Sequence, residues 1–302
     1  MISMRTWAAS ALAVGLGVGP GVLTPGPTPV QAQRGAQPTA PNPPGPASRT
    51  ADGQPNIQGE WDSDAYGPDL EMGIDDAETA RIQGRAGGAG VSPAKAVSVI
   101  IDPPDGRIPY QPWAQARRLA IPSFRRNVNR DTPKTLREMR PRTLCLHAPP
   151  RSTIGGFEAV QVPGYVIFVW EFSHAYRIIP LDGRPRLAPQ VKLAMGDARG
   201  RWEGQTLIVE TTNLNDWDWF DYTGTFHTDA TTVVERFTVL DSDTIDYQFT
   251  VTNPEVFTRP WTVATSFKRN VRRPADWEML ESACVEGERG VEGIMGADPR
   301  KK

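Results

Sequence analysis

The chain has 302 residues with 33 Lys+Arg against 35 Asp+Glu and a formal net charge of -2, so neither its total charge nor any polybasic run gives a footprint for nucleic acid. A hydrophobic content of 39% with 8% aromatics supports a packed core and excludes wholesale disorder, while 2 Cys exclude a disulfide-dense scaffold and a four-cysteine zinc site. The 28 Gly and 29 Pro argue against long helical bundles and for short elements joined by turns.

The N-terminus reads as a secretory signal. Arg5 supplies a sparse positive region, residues 7–23 run apolar and small, and Val30-Gln31-Ala32 has the small-x-small form of a cleavage site after Ala32. A retained anchor is the alternative, but Pro20 and Gly21 break the span short of the roughly 20 apolar residues a membrane helix needs. The run Gly15 to Gly21 superficially resembles a phosphate loop, yet no strand precedes it and Pro20 would interrupt a helix opening from it. The expectation is a periplasmic or secreted protein with no membrane span after cleavage. Residues 33–50, rich in Pro, Ala, Gln and Gly, read as a disordered linker.

Residues 51–150 read as an irregular wrap with short helices. Gly59-Glu60-Trp61 opens a first strand with Trp61 as a core plug. A short helix is predicted over 75–85, capped by Asp75 or Asp76. Asp102-Pro103-Pro104-Asp105-Gly106-Arg107 is turn chemistry, and Pro112 to Leu119 is a helix with Pro in its first turn. From there to Pro150 the chain is arginine-rich and is expected to cover the outside of the domain that follows.

That domain, 151–296 with a tail at 297–302, is a series of strands starting at Ala159. They run over 165–171, 175–181 (ending in the Asp182-Gly183 turn), 205–212, 231–240, 244–252, 259–268 and 276–285. Over 244–252, Ile245, Tyr247, Phe249 and Val251 alternate with Thr244, Asp246, Gln248 and Thr250. Trp261, Val263, Thr265 and Phe267 repeat the pattern in the next strand. Strict period two with one apolar face describes strands half-buried around a single core. An antiparallel barrel is favoured over a sandwich because closure removes exposed edges.

Six motifs stand in order: DPPDGRIPYQPW (102–113), RIIPLDGRP (177–185), MGDARGRWEGQTLIVETTNLND (195–216), VVERF (233–237), NPEVFTRPWTV (253–263) and ACVEGERGVEGI (283–294). Together, over about Pro55 to Gly296, the chain resembles a large family of exported bacterial proteins without an assigned function, abundant in soil bacteria and often present in many copies per genome. The resemblance implies an all-β fold with a lipocalin-like (calycin-type) barrel, here of about 8–10 strands. It implies no activity. Family members often carry a histidine shortly before the VERF strand; this chain has Thr232 there and His227 further upstream.

In an exported protein, the two isolated cysteines Cys145 and Cys284 most simply form a disulfide. It would close a loop of about 140 residues, for which chain entropy alone gives about 5 kcal/mol. The alternative is a Cys145 nucleophile assisted by His147, although an unpaired thiolate oxidises in that compartment.

The search for chemistry is mostly negative: there is no G-x-S-x-G elbow, H-E-x-x-H helix, Walker loop or C-x-x-C. A three-histidine metal site would need His147, His174 and His227 together, without local spacing to support it. A calcium loop starting at Asp216 fails, because Phe220 takes a ligand position and Asp221 stands where glycine is required. No cofactor and no metal are therefore assigned. Trp217, Trp219, Phe220 and Tyr222 read as a loop covering one barrel mouth, or as ordinary core.

Glu235 shares the apolar face of Val233, Phe237 and Val239, so it must be paired or take up a proton. Glu171 has a similar place at a strand end, and His174 shares a face with Tyr176 and Ile178. Arg177 and Arg236 are the compensating charges. His174 or His227 with Glu235 as acid and base, Arg177 holding an anionic or carbonyl group, and Trp170, Tyr176, Trp217, Trp219 and Trp261 as walls would make a cofactor-independent lyase, isomerase or hydrolase for a small apolar or aromatic molecule. His227 and Asp229 form a second possible dyad. The alternatives are a non-catalytic lipocalin-like carrier and a cell-envelope interaction module. A bidentate arginine pair closing off Glu235 would remove the first reading.

Overall fold

The computed structural model describes residues 45–63, 70–71, 98–120, 135–139, 144, 156–171, 175–221, 224–270 and 279. In chain order the elements are β1 (Gly59–Ser63), β2 (Ile100–Asp102), α1 (Pro112–Ala120), a 3₁₀ turn (Leu136–Glu138), β3 (Phe157–Val162), β4 (Tyr165–Trp170), β5 (Tyr176–Pro180), β6 (Asp197–Glu203), β7 (Thr206–Thr212), β8 (Thr232–Val239), β9 (Thr244–Thr252) and β10 (Trp261–Arg269). Nine strands follow one another as β5-β4-β3-β1-β10-β9-β8-β7-β6, each antiparallel to its neighbour, and β2 pairs with β10 off that path. The result is an all-β, lipocalin-like, nearly closed nine-strand barrel.

The alternation that predicts the strands also fills the interior. Register pairs Trp261, Val263, Thr265 and Phe267 of β10 with Val251, Phe249, Tyr247 and Ile245 of β9. Those face Val233, Glu235, Phe237 and Val239 of β8. Side chains opposite one another in an antiparallel pair lie on the same face, so the set forms one continuous inner wall. Trp61 pairs with Phe157 across β1 and β3, fully buried as a plug, with its indole N–H donated to the Ile57 carbonyl at 2.8 Å. Ring centroids lie 5.1 Å apart for Phe157–Phe168, 4.9 Å for Phe157–Phe267, 5.1 Å for Phe168–Phe237 and 4.7 Å for Phe237–Tyr247. Each such ring contributes about 1.5–3 kcal/mol by burial, and tilted pairs add about 0.5–1.5 kcal/mol. Edge-on and tilted aromatics therefore occupy this part of the interior.

β5 and β6 stand at the two ends of the strand order, and side chains close the seam between them. A Cβ added to Gly200 of β6 would lie 2.7 Å from both Ile179 Cγ2 and Leu181 Cδ2, so the bare glycine is what lets β5 lean across. The connector from β5 to β6 is tied by Arg199, which donates to the carbonyls of Arg184 and Pro185, and by Arg186, which donates to the Asp197 carbonyl.

Several expectations change. β3 starts at Phe157, two residues before the predicted Ala159, and the polar β6 (DARGRWE) lacks the apolar alternation by which strands are read. Residues 45–50, expected within the linker, are tied to the barrel: Gly45 and Ser242 exchange hydrogen bonds, and Arg49 donates to Gln205 at 2.9 Å. The helix predicted at Pro112 is present as α1. The helix over 75–85, the strand over 276–285, the signal segment and the Cys145–Cys284 pairing lie outside the described residues.

Candidate functional site

Two buried polar centres among the described residues hold the side chains singled out from the sequence. The first crosses the barrel interior. Strand β5 alternates with Arg177 and Ile179 inward and Tyr176 and Ile178 outward. The Arg177 guanidinium donates to Glu235 through Nη1 to Oε1 at 2.9 Å and Nη2 to Oε2 at 2.6 Å, and to Thr211 Oγ1 at 3.1 Å. Tyr247 donates its hydroxyl to Glu235 Oε1 at 3.0 Å. Arg177 and Glu235 are almost fully buried. Burial works against the Arg177 charge, and the Glu235 carboxylate more than offsets it, holding the guanidinium above its ordinary value. The pair therefore joins β5 to β7, β8 and β9 across the interior, beside the seam.

The second centre lies in the loop between β7 and β8. Here Trp219 and Phe226 form an isolated antiparallel bridge, the Phe220 amide donates to Thr225, and Asp221 accepts from the Thr225 amide and hydroxyl at 3.0 and 2.7 Å. That folding buries His227 against Asp218, with Nε2 2.7 Å from Oδ1, while Nδ1 faces the Thr228 carbonyl at 3.1 Å. A carbonyl oxygen only accepts, so Nδ1 carries a proton. Nε2 then shares a second one with Asp218, either as imidazolium against carboxylate or as a neutral ring accepting from the acid. Burial opposes a charge on His227, but its bond to Asp218 more than offsets this and holds it above the ordinary imidazole value. Burial pushes the Asp218 carboxyl up, against the lowering effect of His227. Asp218 Oδ2 is buried without a hydrogen bond among the described residues.

Above this centre the surface is aromatic and charged. Arg137 grips Asp216 with Nη1 to Oδ2 at 2.8 Å and Nη2 to Oδ1 at 3.1 Å, holding that carboxyl below its usual range. The same guanidinium lies 4.3 Å over the Trp217 ring, which stays 42% exposed.

The predicted catalytic group is therefore not assembled as read. Glu235 is on the inner face as expected, but Arg177 closes it in a bidentate pair. The predicted partner of His227, Asp229, instead sits exposed and contacts Lys192 at 3.2 Å. Asp218, nine residues upstream of His227, was missed; the nested hairpin that joins them has no signature in local spacing. His174 and Tyr222 lie outside the described residues. The predicted walls do not line one space: Trp170, Trp219 and Trp261 are buried in the core, Trp217 is at the mouth, and Tyr176 faces outward. Arg236 is exposed on the outer face of β8, and Glu171 lies in a shallow surface dimple with Glu60, Trp61, Asp62, Gly156, Phe157 and Met279, too tight to form a cavity. Comparison with models of protein families, with curated proteins and with solved structures finds no match.

Proposed function

We propose that this is an exported, non-catalytic barrel that binds a small apolar or aromatic molecule at its loop-covered end. The observation that carries the reading is that the groups able to do acid–base work there are already engaged. Both oxygens of Glu235 and both ring nitrogens of His227 are hydrogen-bonded inside the protein. With packed rings in the interior, the exposed Trp217 face is the natural platform. The Arg137–Asp216 grip holds the guanidinium in place against it, so little side-chain entropy is lost on binding. Export rests on the signal-like first 32 residues and on the resemblance to an exported family.

Titration with a panel of aromatic and aliphatic ligands, followed by tryptophan emission, tests this. Saturable quenching that disappears in Trp217→Ala while the fold persists supports it. Unchanged binding in that variant removes the platform. One observation favours the enzyme reading: Asp218 Oδ2 is a buried acceptor left unmatched beside His227. Catalysis would then belong to the Asp218–His227 pair rather than to Glu235. Loss of a substrate's conversion in Asp218→Asn, with ligand binding kept, would establish it.

A further inference from the structure

The outer faces of the barrel strands differ in kind. On β9 the outward side chains are Asp246, Gln248, Thr250 and Thr252, and on β6 they are Arg199, Arg201 and Glu203, with Asp197 on the same side but buried. That is the usual polar-out face of a one-sided antiparallel sheet. On β3, β4 and β5 the outward rows are Glu158–Val169–Tyr176, Val160–Ile167–Ile178 and Val162–Tyr165–Pro180. Eight of these nine are apolar or aromatic. Tyr176 is 62% exposed, Ile178 52% and Val162 44%; Glu158, Val160, Tyr165, Ile167 and Val169 are half-buried, and Pro180 is buried. A contiguous apolar sheet face on an otherwise polar barrel marks an interaction surface.

Its charges identify the occupant. Glu158, at one end, makes no hydrogen bond or ion pair among the described residues. At the other end Arg184 lies 5.1 Å over the Tyr165 ring and donates through Nη2 to the Tyr165 hydroxyl at 2.6 Å and through Nε and Nη2 to Asp182. Its Nη1 has no partner among the described residues. We propose that two copies of the chain associate through this face. The twofold axis runs across the strands along the Val160–Ile167–Ile178 row. That operation lays the Glu158 row of each copy on the Val162–Tyr165–Pro180 row of the other, which sets each Glu158 over Val162, one strand from the Tyr165 ring that carries the opposing Arg184 and within side-chain reach of it. The interface is isologous, with an apolar centre and a charged rim. A three-strand face is smaller than the roughly 800 Å² per partner of a standard interface, so the dimer forms in the micromolar range.

Sedimentation equilibrium of the full chain from low to high micromolar concentration tests this. The wild type is expected to pass from monomer to dimer mass. Ile178→Lys stays monomeric at every concentration while keeping its melting temperature. Glu158→Arg and Arg184→Glu each weaken association about tenfold, and the double exchange restores most of it. A wild type that stays monomeric overturns the proposal. So does association that Ile178→Lys leaves intact, or a monomer in which Ile178→Lys lowers the melting temperature, since the face would then cover another part of the same chain.

Discussion

Replacing Arg177 by methionine leaves a carboxylate inside an aromatic-filled barrel with only the Tyr247 hydroxyl to solvate it. Three hydrogen bonds are lost, two of them from the ion pair and one to Thr211. Removing one member of a buried pair costs about 3–5 kcal/mol, chiefly because the other charge stays behind unmatched. In a domain of this size about 1 kcal/mol moves the midpoint by about 2–4 °C, so Arg177→Met should melt at least about 6 °C lower. Glu235→Leu alone should cost a similar amount. The double variant removes both charges and should recover to within about 1 kcal/mol of wild type or exceed it. Urea unfolding of the four proteins, read by tryptophan emission, gives the coupling energy directly. A coupling of about 5 kcal/mol or more is expected from those costs. Single variants that each cost under about 1 kcal/mol and add in the double would refute the reasoning, by showing that water already solvates the pair.

The His227 centre has a pH signature. Its folded pKa lies above the unfolded value of about 6.5, so its stabilisation is fully present below that pH and is lost as pH rises through the folded value. The stability gap between wild type and His227→Gln should therefore shrink steadily above about pH 6.5, as followed by urea midpoints. Gly200→Ala should cost about 1–3 kcal/mol, since the new methyl meets Ile179 and Leu181 across the seam; thermal melting checks it. Arg137→Ala should change stability by less than about 1 kcal/mol, because the pair is nearly half exposed. The same variant should weaken any ligand bound on Trp217. A non-reducing peptide map is expected to recover Cys145 and Cys284 as one linked pair.

Legibility in the sequence followed the physics of each segment. Strands β8 to β10 were readable because one face is apolar and the other polar, and that alternation also placed Glu235 inside. Strand β5 was readable as a strand over 175–181, but its phase was not, because apolar residues stand at both parities of YRIIP. The phase is decided by Arg177, whose inward position only Glu235 on a distant strand explains. The continuous run of β4 was visible as a strand. What it could not show is that its second face, with those of β3 and β5, points outward instead of into a second layer. Strand β6 was hidden because its inner face carries Ala198, Gly200 and Trp202 where the seam needs little bulk. The Asp218–His227 pair depends on a loop that folds back on itself, and nothing in residue spacing encodes that closure.

The central claim is that the barrel holds a molecule without transforming it. The direct test is to take the tightest ligand from a thermal-shift screen and incubate it with wild type and with Arg177→Met/Glu235→Leu, then recover it by mass spectrometry. The account predicts unchanged ligand from both proteins. Any conversion by the wild type would contradict it; its loss in the double variant would assign the chemistry to the Arg177–Glu235 pair, and its survival there to Asp218–His227.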